Sequence, residues 1–250
     1  MFYLFTLKAG KTVEIARRYN KHRGPTLKQT TAPVLNPHML KKYDAANLIN
    51  AERTLTYILN ANFDENDYWV TLAIDPHHGI KAKDMKTIAR NFLRWYRKKL
   101  KNANATFKYI YAASIENGFL HLHMVLTGIP ETNVKLLIMN YWSYGFVDCK
   151  PLYEHGDHKG IANYIIKNTE KSFRTGEAGM KRRYQSSRGL IRPKWEIEAQ
   201  SGNDWELDPD IPDGYRLING SLVNGFNSYN EKMYQRYRLI QQKKHKDMDA

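Results

Sequence analysis

One cysteine, Cys149, stands in 250 residues. A single thiol excludes a disulfide framework and any cysteine-built zinc knuckle, and the expected reading of Cys149 is a small buried apolar residue. Long apolar runs are missing too. The longest uncharged stretch of apolar character, Leu136 to Val147, falls well short of a membrane span. The opening Met1-Phe-Tyr-Leu-Phe-Thr-Leu-Lys8 lacks a basic leader, and its apolar run is too short for a signal peptide. A soluble protein of a reducing compartment is expected. There is no internal repeat, no long low-complexity segment and no G-x-x-x-x-G-K-[ST] phosphate loop. Acid is scarce: 25 Asp+Glu stand against 39 Lys+Arg, for a formal charge of +14.

That imbalance predicts an anionic partner, most often nucleic acid. Its distribution sharpens the reading. Arg90 to Lys101 holds six basic residues and no acid; Lys171 to Lys194 holds eight, with Glu177 as the one acid. Clustering of this kind suits a phosphate-tracking surface better than evenly spread solubility charge. Arg94, Arg97, Lys98, Lys171, Arg182, Arg183 and Arg188 are the candidate phosphate contacts. With 42% hydrophobic residues the chain can bury a core without staples, as one large domain or one domain with added end segments.

Residues 1–36 are expected to form a basic N-terminal arm, broken by Gly24-Pro25 and Pro33. A domain over 37–195 follows. Pro37 opens a helix to about Asn60; Tyr68–Ile74 reads as a buried strand stopped by Asp75-Pro76. Asp84–Lys101 is an amphipathic helix with Met85, Ile88, Ala89, Phe92, Tyr96 and Leu100 on one stripe. Phe107–Ile115 and Phe119–Leu126 form a hairpin across Asn117-Gly118. A helix from Pro130 to about Trp142, a strand over Gly145–Tyr153 and a helix from Asp157 to about Lys171 complete the domain. Residues 196–250 are expected to hold a linker, a small hairpin over Tyr215–Phe226 and a terminal exposed helix. The order β-α-β-β-α-β-α implies an α+β fold, a mostly antiparallel central sheet with helices packed on it.

The chemistry-bearing residues sit in that hairpin. In Phe119-Leu-His-Leu-His-Met-Val-Leu126 the period of two sends His121 and His123 to one face and Leu120, Leu122 and Met124 to the other, leaving the imidazoles on the face away from the apolar core. A two-residue turn pairs Glu116 with Phe119 and Ser114 with His121, placing Glu116 on the histidine face. Two imidazoles and a carboxylate there make a candidate divalent-metal site, with small Ala112 and Ser114 opposite leaving room. In the later helix, Tyr164, Lys167, Asn168 and Lys171 share a face distinct from the stripe of Ile161, Ala162, Ile165 and Ile166. Lysines one and two turns on from Tyr164 are expected to favour its phenolate and to offer cations to a phosphate.

Together these residues resemble the HUH family of rolling-circle replication initiators, of the single-tyrosine bacterial plasmid and phage type. Phe119–Leu126 resembles the family's motif of two histidines around a bulky residue, Trp69-Val-Thr-Leu-Ala73 its first strand motif, and Tyr164-x-x-Lys167 its nucleophile motif. Lys181–Leu190 resembles the basic segment that follows the tyrosine helix in such members. The resemblance covers roughly residues 55–195. It implies a ferredoxin/RRM-like topology and a metal-dependent, site-specific nickase of single-stranded DNA. Tyr164 would be the nucleophile, forming a 5′-phosphotyrosine link and a free 3′-hydroxyl, with Lys167 steadying charge. His121, His123 and Glu116 would hold Mn or Mg. It further implies single-stranded or stem-loop origin DNA, a host helicase and a polymerase as partners, no membrane association, and the cytoplasm of a bacterial host cell. Two departures are visible. Asn168 occupies the position of the second tyrosine in two-tyrosine members, and the family's metal carboxylate often lies further upstream than Glu116. A single-tyrosine transposase and a non-catalytic nucleic-acid-binding protein stay open. A conjugative relaxase is disfavoured because its tyrosine usually precedes its histidines. Tyr153 and Tyr184 compete with Tyr164, but neither has a lysine at i+3.

Overall fold

In the computed structural model, which describes residues 1–21, 37–176, 182–202, 204–227 and 231–242, the chain is α+β, with two antiparallel sheets and four α-helices among the described residues. In chain order the elements are β1 (Phe2–Ala9), β2 (Thr12–Arg18), α1 (Pro37–Asn62), β3 (Tyr68–Ile74), α2 (Met85–Asn102), β4 (Tyr109–Glu116), β5 (Phe119–Leu126) and α3 (Val134–Tyr141). There follow β6 (Val147–Pro151), α4 (Lys159–Thr175), β7 (Gln185–Ser186), β8 (Glu196–Gln200), β9 (Tyr215–Leu217), β10 (Val223–Asn227) and β11 (Lys232–Gln241). The chain divides into two compact units, Leu48–Ile191 and Met1–Asn47 with Arg192–Ala250. Among the described residues no helix is long and apolar enough to cross a membrane.

In the first unit the strands lie in the order β6-β3-β5-β4-β7, every neighbour antiparallel. This is the arrangement that a β-α-β-β-α-β run produces when a hairpin strand inserts between its first two strands. The hairpin forms where the sequence demands it: Asn117 and Gly118 both take positive φ, at 50° and 83°, which a two-residue turn of matching twist requires. Its register pairs Glu116 with Phe119, Ser114 with His121 and Ala112 with His123, as the turn predicts.

Both faces of this sheet are covered. On one, α2 and α3 pack Met85, Phe92, Tyr96, Val134 and Ile138 against Val70, Leu72, Leu122 and Met124. On the other, α1 and α4 pack Leu55, Ile58, Leu59, Ile161, Ile165 and Ile166 against Ile110, Ala112 and Val125. The expectation that the histidine face is open to solvent is therefore corrected, because α4 returns across it. Cys149 is buried and free, with burial pushing its thiol up to about 12, so it is inert as a nucleophile.

The start of α4 also differs from expectation. His158, not Asp157, is the N-cap residue, and no side chain caps the helix through it. Asp157 instead sits one position earlier and accepts from the Lys159 amide at 3.3 Å. His158 is fully buried; its amide donates to Asn60 Oδ1 at 2.9 Å and its Nε2 meets the Phe63 carbonyl at 3.3 Å. Its Nδ1 has no hydrogen-bond partner among the described residues. Burial pulls its pKa below the ordinary 6.5, against the opposing pull of the Phe63 carbonyl and Asp157. Below pH 6.5 the unfolded chain thus takes up a proton that the native chain refuses, and stability falls as the pH drops. Urea unfolding should show a loss of up to about 1.4 kcal/mol per pH unit from this one group. His158→Gln should remove that share; an unchanged pH slope in the variant would refute the assignment.

The second unit corrects two expectations. The stretch read as an arm begins with a hairpin: β1 and β2 pair from Tyr3↔Arg18 to Ala9↔Thr12 across a two-residue turn, with Gly10 at φ 57°. Residues 22–36 lie outside the described residues. The terminal stretch read as a helix is instead the strand β11, central to a sheet ordered β10-β11-β2-β1-β8, with β9 also paired to β11. Gln235, Tyr237 and Leu239 alternate with half-buried or exposed neighbours, a period of two rather than 3.6. β9 and β10 each pair with β11 and not with each other, so Tyr215–Phe226 is not a hairpin closed on itself. Residues 243–250 lie outside the described residues.

Candidate metal centre and tyrosine

Hairpin parity and the β3 pairing assemble the site. β3 lies against β5 with Thr71 opposite His123 and Ala73 opposite His121, so Trp69, Thr71 and Ala73 join the histidine face. His121 has small neighbours on both sides, Ser114 and Ala73, which leave it space. Glu116, His121 and His123 offer ligand atoms that all lie within 4.8 Å of one another, and the group could hold a metal ion. Glu116 Oε1 is 2.7 Å from His123 Nε2, and Glu116 Oε2 is 3.6 Å from His121 Nδ1.

The donor set fits a divalent ion. His121 Nδ1 is buried and has no hydrogen-bond partner among the described residues, which leaves a lone pair or proton aimed at the carboxylate without a bond to it. Burial holds His123 below its ordinary pKa, against the pull of Glu116, so its ring is the neutral form that a metal requires. Partial burial alone would raise the Glu116 carboxyl, but hydrogen bonds from Ser114 and His123 and the neighbouring imidazoles hold it below the usual range, as a carboxylate. Thr71 Oγ1 lies 3.3 Å from His123 Nδ1, and a hydroxyl there can bond either tautomer, fixing the ring while Nε2 faces the site.

The tyrosine arrives from α4. Tyr164 is 42% exposed, and its hydroxyl donates to Glu116 Oε2 at 3.2 Å. Its ring meets His123 edge-on at 5.1 Å and Trp69 at 5.8 Å, while Trp69 stacks on His123 at 5.7 Å and 6°. Asn168, one turn on, also hydrogen-bonds the Tyr164 side chain. The phenol stands above its ordinary pKa of 10, because of burial first and the Glu116 carboxylate second. This corrects the expectation that nearby lysines favour the phenolate: Lys167 is exposed and makes no hydrogen bond or ion pair among the described residues, so its charge is left in water.

The other sequence candidates divide. Tyr153 is half exposed and stacked beside His155; with Trp69, Lys150, Ile161 and Tyr164 it lines a cavity of about 270 Å³. Tyr184 packs against the core under α4. Lys171, Arg182 and Arg188 are exposed. Arg183 is paired with Glu170 at 2.7 Å and lies over the Phe173 ring, so its charge is already partnered. Lys181 lies outside the described residues. Arg94, Arg97 and Lys98 are on α2, across the sheet from the histidines. Trp69 and Thr71 carried no chemical role in the sequence reading. The signal for them was the alternation of β3, usable only once β3 is known to flank β5.

Comparison with known proteins agrees with this geography. No curated protein and no solved structure matches the chain. Residues 67–173, which run from the start of β3 to the end of α4 and so include the trio and Tyr164, match the family of replication-associated proteins of the ORF2 and gene II protein type.

Proposed function

We propose that this protein is a metal-dependent, site-specific nickase of single-stranded DNA that initiates rolling-circle replication. The observation that carries the reading is the Tyr164 hydroxyl on Glu116, which brings a phenol from α4 to a His-His-Glu group built on the sheet. The match to a replication-associated family raises that chemistry above a generic surface metal site.

Each residue has its share of the work. Glu116 and Asn168 aim the Tyr164 oxygen, and the rings of Trp69 and His123 restrict its rotamer. A divalent ion held by His121, His123 and Glu116 supplies Lewis-acid polarisation of a phosphate oxygen and offsets the carboxylate charge that holds the phenol proton. Tyr164 Oη attacks phosphorus as the bond to the 3′-oxygen breaks. The phenol proton ends on that 3′-hydroxyl, and a 5′-phosphotyrosine link remains. Lys167 and Lys171, exposed on the same helix face, meet the flanking phosphates, as do Arg182 and Arg188. The freed 3′-hydroxyl is a primer end for a host polymerase, and strand separation falls to a host helicase, since the 250 residues hold no phosphate loop.

Incubation with single-stranded DNA carrying the origin, with Mn²⁺ or Mg²⁺, should give a nicked strand whose 5′ end migrates with the protein on a denaturing gel. EDTA should abolish cleavage and readdition of either ion restore it. Cleavage that persists in EDTA, or that leaves both ends free of protein, would refute the proposal.

A further inference from the structure

The basic cluster of α2 is turned away from the histidine site, yet it is not scattered. Lys86, Arg90, Arg94 and Arg97 are all exposed and recur about once per turn on one side of the helix. The helix contains no Asp or Glu to neutralise them. Alongside runs a ladder of rings. Phe107, Tyr109 and Tyr111 recur at alternate positions, with centroids 5.1 and 6.1 Å apart. Tyr111 is buried as a floor, whereas Phe107 and Tyr109 keep part of their surface open. Cations and rings together line a single open groove of about 360 Å³, with no carboxylate among its lining residues. Arg97 lies over the Phe107 ring at 5.9 Å.

A groove with cations along one wall and open aromatic faces along the other has the composition of a single-strand site. Phosphates take the cations, and unstacked bases, each with a π-face, take the rings. Duplex DNA would use only the cationic wall, because its bases are already stacked. We propose that this groove is a second binding site for single-stranded DNA, on the sheet face opposite the histidines. Phosphates lie on Arg90, Arg94 and Arg97, and bases stack on Phe107 and Tyr109. The site rests on its own charge and rings, not on Tyr164 or a metal, and so goes beyond the nickase reading.

The test is equilibrium binding of the full chain to a fluorescent oligodeoxythymidylate of about 12 nucleotides, in EDTA, so that cleavage plays no part. Arg90→Ala with Arg94→Ala should weaken binding about tenfold and lower the slope of log affinity against log salt by about 1.4. Phe107→Leu with Tyr109→Leu keeps apolar volume but removes the stacking face. It should weaken single-strand binding about tenfold and leave binding to a blunt duplex unchanged. An effect in only one of the two variants overturns the proposal as surely as an effect in neither. If the ring variant melts early, photocrosslinking of a 5-iododeoxyuridine oligonucleotide to the wild-type chain decides the matter. A crosslink at Phe107 or Tyr109 supports the groove; crosslinks confined to other segments refute it. Failure of nicking would leave these affinities untouched, so the two proposals fail separately.

Discussion

Tyr164→Phe should eliminate the covalent protein–DNA adduct, lowering cleavage by at least about three orders of magnitude, while single-strand binding stays within about twofold of wild type. The substitution removes one oxygen from a ring that is 42% exposed, so no cavity forms. What is lost structurally is one hydrogen bond to Glu116, worth about 1 kcal/mol at most in so accessible a position. The ring contacts with Trp69 and His123 survive in phenylalanine. The control is Tyr153→Phe. Tyr153 shares the cavity beside Tyr164 and is the competitor best placed to reach DNA there. Its ring stacks on His155, away from the trio, and Tyr153→Phe should retain the adduct. If Tyr164→Phe keeps the adduct and Tyr153→Phe loses it, the nucleophile lies in the loop before α4 rather than on the helix.

How much of this was legible in the sequence follows the range of each interaction. The hairpin was readable because Asn117-Gly118 fixes its register within a few residues, and parity then places Glu116, Ser114, His121 and His123 on one face. The face of α4 that carries Tyr164 was readable from the isoleucine stripe, a purely local period. Trp69 and Thr71 were not, because their place beside the histidines depends on β3 pairing with β5 across some fifty residues of chain. The burial of His123 was hidden for the same reason: alternation tells which face a side chain takes, not whether a distant helix covers it. The second unit was misread where charge masked alternation. Arg17, Arg18, Arg236 and Arg238 make β2 and β11 look like solvated segments, yet Gln235 and Tyr237 between them are buried. The acidity of Tyr164 was misjudged by counting lysines along the helix. The nearest charge in space is a carboxylate from another strand.

The two histidines should respond differently to removal, although both belong to the same group. His121 keeps about a fifth of its side chain exposed and its Nδ1 has no partner among the described residues, so His121→Ala deletes little that the metal-free fold uses. Its melting temperature without metal should stay within a few degrees of wild type. His123 is wholly buried, bonded to Glu116, Ser114 and Thr71 and stacked under Trp69. His123→Ala leaves a cavity and several polar atoms without their partner, and should cost about 2–4 kcal/mol. The metal readout separates binding from folding. Saturating Mn²⁺, at about a hundred times its dissociation constant, should stabilise wild type by about 2.7 kcal/mol and raise its melting temperature. His121→Ala should lose most of that rise along with cleavage, despite its near-normal melting temperature in EDTA. A His121→Ala protein that gains as much from Mn²⁺ as wild type would place the ion elsewhere. A His123→Ala protein that melts normally in EDTA would show instead that the imidazole is not the buried keystone of this face.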